Sequence, residues 1–136
     1  MLVANYVREK IKKSKHMDVA KDMSIGHNKV LKATVEINSI LLMSNEDGLV
    51  EVEVKSGKDL GWIYREDIEF FILEKNSTMY MTNFNSVKIM VEACAKKYGK
   101  MYSEKPEAYH VTKNECGQSF YYLKEEDIIE LHVVGV

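Results

Sequence analysis

The sequence contains few cysteines, a single proline and no long apolar run. Two cysteines among 136 residues are too few for a disulfide scaffold, so we expect a reduced, cytoplasmic protein. Apolar runs such as Ile40 to Met43 are far too short to cross a bilayer. Residues 1–13 have no sustained apolar stretch and no cleavage site of the secretory type. These absences disfavour a secreted disulfide-rich module and a helical membrane protein.

The chain also lacks the motifs of catalytic and metal centres. It has no Gly-x-Ser-x-Gly elbow and no glycine-rich phosphate loop. Cys94 falls on the apolar face of a predicted helix and Cys116 in a predicted turn, neither with a histidine at motif spacing. His110 and His132 form no close metal-binding pattern with them. We therefore expect no enzyme activity, no metal site and no cofactor.

The net charge of −2 conceals an uneven distribution. Residues 1–33 carry eight basic and three acidic side chains, whereas residues 34–136 carry 11 basic and 18 acidic side chains. A basic segment ahead of an acidic body favours a polyanion as a partner of the basic segment. The alternative is a chance clustering of lysines on a solvated helix, for which residues 4–14 have amphipathic spacing.

The stretch from His16 to Thr34 has the apolar spacing of two short helices joined by a tight turn. Val19 and Met23 would face the core from the first helix, and Val30 would anchor the second. This pattern resembles the helix-turn-helix of DNA-binding regulators. The resemblance implies a recognition helix from about Gly26 to Thr34 that enters the major groove of DNA.

The same resemblance implies a set of DNA contacts. Asn can bond to adenine, Lys can reach guanine or phosphate, and lysines upstream would fix the register on the backbone. The predicted DNA-binding residues are His27, Asn28, Lys29, Lys32, Lys12, Lys13 and Lys15. The competing interpretation is a strand from Lys29 to Ile37 after a loop at residues 26–28. A helix at residues 26–34 with His27, Asn28 and Lys32 exposed would favour the regulator, and a strand paired to Val50–Val54 would disfavour it.

From Val35 onward the sequence predicts strands and one helix. Alternation at Val50, Val52 and Val54 is typical of a half-buried antiparallel strand. The predicted helix runs from about Asn85 to Tyr98 and ends at Gly99. Its apolar face comprises Val87, Met90, Val91, Cys94 and Tyr98. Further strands are predicted at residues 35–37, 40–43, 68–73, 78–82, 109–112, 119–123 and 128–134.

These elements predict an α+β fold with a mostly antiparallel sheet. We expect a basic helical segment at residues 1–34 and an acidic α+β body at residues 35–136, together forming one unit. The helix near residues 85–98 would pack on the sheet.

A weak internal repeat links two parts of the body. Gly57, Trp62, Ile63 and Ile68 recur sixty positions later as Gly117, Tyr122, Leu123 and Ile128. Both copies, residues 57–68 and 117–128, are similar to the closing strands of small SH3-like barrels. The repeat indicates either a duplication or a sequence pattern that is common wherever a strand, a turn and a second strand follow each other. The acidic residues Glu66, Asp67, Glu126 and Asp127 are most simply turn formers.

Tyrosines are frequent in the body and favour a surface that is buried against a partner. We predict partner contacts at Trp62, Tyr64, Tyr121 and Tyr122. The first functional hypothesis is a small DNA-binding regulator whose body forms a homodimer or binds a partner. The alternative is a non-enzymatic protein-interaction module, like the small inhibitors encoded by phages and mobile elements, that binds a basic protein surface.

Overall fold

The computed structural model describes residues 23–25, 28–32, 39–44, 48–75, 78–128 and 132–135. The described chain contains a single α-helix, α1 (Phe84–Tyr98), two 3-10 turns (Trp62–Tyr64 and Glu125–Asp127) and eleven strands. The strands are β1 (Met23–Ile25), β2 (Asn28–Lys32), β3 (Ser39–Ser44), β4 (Leu49–Ser56), β5 (Asp59–Leu60), β6 (Phe70–Lys75), β7 (Thr78–Asn83), β8 (Met101–Tyr102), β9 (His110–Lys113), β10 (Gln118–Lys124) and β11 (His132–Gly135).

The chain divides into two units that alternate along the sequence. The first takes its described residues from 1–44, 67–84 and 130–136, and the second from 45–66 and 85–129. This division differs from the one that the charge distribution suggests, at residues 34 and 35. Each unit is built on its own sheet.

The first unit contains a six-stranded sheet with the order β1-β2-β3-β6-β7-β11. β3 and β6 are parallel, and the other neighbouring strands are antiparallel. Consecutive residues of β3 and β6 are buried, so both faces of this central pair are covered. The buried residues of the pair are Ile40, Leu41, Leu42, Met43, Phe70, Phe71, Ile72 and Leu73.

The predicted recognition helix is not present over Asn28–Lys32. β2 pairs antiparallel with β1 on one side and with β3 on the other, so its backbone is extended. Pairing with the apolar strand β3 is a tertiary gain, and such gains outweigh a local helical spacing. The observed strand matches the first part of the competing interpretation, but the predicted pairing with Val50–Val54 is wrong, because β2 lies between β1 and β3 and those residues belong to the other sheet. The rest of the predicted motif, at residues 16–22, 26–27 and 33–34, and the helix predicted at residues 4–14 lie outside the described residues.

The second unit contains a five-stranded sheet with the order β5-β4-β10-β9-β8. β4 and β10 pair antiparallel along their length, with an irregularity between Ser119 and Phe120. Only the pair of β8 and β9 is parallel among the described strands of this sheet. The turns predicted at Ser56–Asp59 and Asn114–Gly117 are confirmed, and Gly57 and Gly117 take the positive φ that such turns require.

The predicted helix is confirmed as α1. It begins one residue earlier than expected, at Phe84, and ends at Tyr98. Val87, Val91 and Cys94 are buried at helical spacing, whereas Tyr98, which was predicted on the same face, is largely exposed. Gly99 terminates the helix with a φ of +88° and donates its N–H to the carbonyl of Ala95 at 2.9 Å.

The α+β class is confirmed, and the strands form two sheets where the sequence predicted one. Most of the predicted strands are found within a few residues of their expected bounds. None of the described residues belongs to a helix with the length and apolarity needed to span a membrane.

Candidate interaction surface

The C-terminal end of α1 carries a stacked pair of tyrosines. Tyr98, the last residue of α1, lies on Tyr109, with ring centroids 4.1 Å apart and 13° between the ring planes. The Nζ atom of Lys97 lies 5.1 Å from the ring centroid of Tyr98, and that of Lys124 lies 5.8 Å from the ring centroid of Tyr109. A cation over an aromatic face is attracted by the ring quadrupole, so the lysines add to the stability of the pair.

Tyr109 is held in an unusual backbone conformation. Its φ is +64°, a left-handed value that side chains other than glycine rarely adopt. Its hydroxyl donates to Asp127 Oδ2 at 2.7 Å, and its backbone N–H donates to the carbonyl of Tyr122 at 2.8 Å. The surrounding contacts therefore fix the direction in which the ring points.

Asp127 connects this aromatic pair to the turn after β10. Its Oδ2 atom also accepts the backbone N–H of Lys124 at 3.0 Å, so one carboxylate both closes the turn and orients Tyr109. The prediction that Asp127 forms a turn is confirmed. Its bond to Tyr109 was not visible in the sequence, because the two residues lie 18 positions apart.

Tyr121 lies directly beneath the end of the helix. Its hydroxyl donates to the carbonyl of Gly99 at 2.9 Å, which satisfies a group that the helix end leaves open. Burial, with smaller contributions from Cys94 and Asp127, raises the pKa of the Tyr121 hydroxyl to about 12. Burial and the bond to Asp127 also raise the pKa of Tyr109. Both phenols are therefore neutral hydrogen-bond donors at ordinary pH.

The two cysteines lie in different environments. Cys94 is buried, and burial together with the negative charge of Asp127 raises the pKa of its thiol. A protonated, buried thiol is a poor nucleophile. Cys116 is exposed in the turn between β9 and β10, where its backbone N–H donates to Asn114 Oδ1 at 3.0 Å.

The last residue of α1 and the two residues of β8 expose large apolar side chains. Tyr98 is 49% exposed, Met101 is 73% exposed and Tyr102 is 63% exposed. Met101 and Tyr102 constitute β8, which is the last strand of its sheet among the described residues. We call the surface of Tyr98, Met101 and Tyr102 the β8 edge surface. It was not predicted as a binding surface, although lysines at positions 96, 97 and 100 flank these residues and indicate a solvated segment.

The predicted partner-binding residues lie elsewhere. Trp62, Tyr121 and Tyr122 are buried in the core, and their predicted role as partner contacts stays a prediction. Only Tyr64 is partly exposed, and the Nζ atom of Lys88 lies 5.6 Å from its ring centroid. An aromatic residue of a strand or tight turn fits the core as readily as an interface, and the sequence pattern does not distinguish the two.

Trp62 is fixed by a buried carboxylate. Glu53 on β4 is 5% exposed, and its Oε1 atom accepts the backbone N–H of Trp62 at 3.1 Å. Its Oε2 atom accepts a hydrogen bond from Nε2 of Gln118 at 2.7 Å. Gly61 runs so close to β4 that a Cβ atom there would overlap the backbone of Glu53 and Val54. This region is therefore closely packed backbone against backbone.

The two copies of the glycine–aromatic repeat differ in their secondary structure. In the first copy a 3-10 turn begins at the aromatic residue Trp62, whereas in the second the strand continues through Tyr122 and the turn follows at Glu125. The two glycines meet, since the N–H of Gly57 donates to the carbonyl of Gly117 at 3.0 Å. The resemblance to SH3-like closing strands stays a prediction.

The predicted DNA-binding residues are only partly described. Asn28, Lys29 and Lys32 lie on β2, and the structure describes their backbone alone. His27, Lys12, Lys13 and Lys15 lie outside the described residues.

No family model, curated protein or solved structure matches this chain. Functional inference therefore depends on the geometry of the chain itself. Within the described residues, no three or more His, Cys, Asp or Glu side chains are arranged to hold a metal ion.

Proposed function

We propose that the protein is a non-enzymatic protein-interaction module that binds another protein chain through the β8 edge surface. The observation that carries the proposal is the exposure of three large side chains within five residues, at the last residue of α1 and on the edge strand β8. Tyrosine and methionine are enriched in the cores of interfaces. Their apolar surface is exposed to water, and contact with a partner would remove it from water.

The rigidity of this region supports the same proposal. Tyr98 is stacked on Tyr109, the helix is capped at Gly99, and Tyr109 is bonded to Asp127. A surface that is ordered before binding loses little conformational entropy when a partner arrives. These contacts would therefore favour affinity.

The charges near the surface modify the sequence hypothesis of a basic partner. Lys96, Lys97 and Lys100 are exposed before or beside the apolar residues, and Glu104, Lys105 and Glu107 are exposed after them. A partner with acidic groups facing the lysines and basic groups facing the glutamates would complement this surface.

Photo-crosslinking in cells that express the protein tests the proposal. A benzophenone side chain at position 102 should yield an adduct with a protein, and the same probe at position 60 should yield none. Leu60 is the matched control, because it is 72% exposed at the opposite edge of the same sheet. The proposal fails if position 102 gives no adduct, or if both positions give the same adducts.

A second candidate function is DNA binding by the basic N-terminal segment. It is favoured by the excess of five positive charges over residues 1–33. The strand at Asn28–Lys32 removes the recognition helix from these five residues, so this candidate depends on charge and not on the helix-turn-helix resemblance.

Binding to mixed duplex DNA at low and high salt tests the second candidate. Replacing Lys12, Lys13 and Lys15 with Glu should lower affinity and reduce the salt dependence by about one power of concentration for each phosphate that the variant no longer neutralises. Replacing Lys29 and Lys32 with Glu tests the strand in the same way. Absence of binding at low salt would exclude this function.

A further inference from the structure

We draw no further inference here: the strongest candidate, the β8 edge surface formed by Tyr98 at the end of α1 and by Met101 and Tyr102 on the edge strand, carries nothing beyond the proposed function, because nothing in the described residues shows what covers it.

Discussion

The five-stranded sheet ends on two very different edges. β5 and β8 are each two residues long, and both expose large apolar side chains. β5 is the return strand of a hairpin, and the N–H of Gly61 just after it donates to the carbonyl of Val54 at 3.1 Å. β8 instead follows a helix, with exposed lysines before it and the exposed residues Glu104, Lys105 and Glu107 after it. Similar exposure of apolar side chains therefore occurs at two edges that differ in their neighbouring charges and rings.

The largest expected effect tests how closely the β5 edge is packed. Gly61→Ala should lower the free energy of unfolding by about 3 kcal/mol or more, because the new Cβ atom would overlap the backbone of Glu53 and Val54. Urea denaturation measures the loss. The matched control is Gly57→Ala, which meets no atom within 4 Å but has a φ of +61°, and it should cost only about 1 kcal/mol. Equal losses would show that close packing is not what fixes this edge.

The next effect concerns the buried carboxylate that anchors the same edge. Glu53→Ala should lower the free energy of unfolding by about 2–3 kcal/mol, because it removes the acceptor of Trp62 N–H and of Gln118 Nε2 inside the core. Thermal or urea denaturation measures the change. Glu66→Ala, at an exposed position, should change stability by less than about 0.5 kcal/mol. A loss at Glu53 no greater than at Glu66 would contradict the anchoring role.

An effect of intermediate size concerns the pH dependence of stability that Tyr121 causes, whose hydroxyl bonds to Gly99 just before β8. The pKa of Tyr121 is raised to about 12 in the folded chain, so the folded state holds this proton more tightly than the unfolded state. This contribution to the free energy of unfolding is fully present below pH 10 and is lost as the pH rises through the folded-state pKa. At pH 12 the free energy of unfolding should be lower by about 2 kcal/mol. Urea denaturation between pH 9 and pH 12 should show this decline.

Tyr121→Phe is the control for that decline. Phenylalanine carries no titrating hydroxyl, so the variant should lose less stability over the same pH range while starting from a lower value, because its bond to Gly99 is absent. An equal decline in the variant would assign the alkaline effect to other groups.

The smallest effect on stability gives the sharpest comparison of the two edges. Leu60→Lys and Tyr102→Lys should each change the free energy of unfolding by less than about 0.5 kcal/mol, because both side chains are largely exposed. Their effects on the association with a partner chain should differ, and only Tyr102→Lys should reduce this association. Parallel denaturation and sedimentation experiments measure the two quantities. If both variants reduce association equally, the distinction between the edges is wrong.

Local patterns predicted the local elements of this fold. The spacing of Val87, Val91 and Cys94, followed by Gly99, indicated α1 almost to its bounds. The alternation at Val50 and Val52 indicated β4 in the same way. These patterns reflect neighbours a few residues apart, whose interactions a single sequence displays directly.

Long-range pairing was not predictable from the same patterns. β3 and β6 pair in parallel although about thirty residues separate them in sequence, and the strands between them, β4 and β5, belong to the other sheet. At Asn28–Lys32 the partner strand β3 decided the conformation against a helical spacing. Long-range strand pairing also decides which tyrosines are buried. For this reason buried Tyr121 was predicted as a contact residue and exposed Tyr102 was not.

The contrast between the two thiols has a practical consequence. Cys116 sits in open solvent at the tip of a hairpin, and Cys94 is enclosed with its proton held tightly. A maleimide dye or a spin label should therefore attach at one position without any engineering of the sequence. A label on Cys116 of the unaltered sequence would therefore allow distances within an assembly to be measured by spectroscopy.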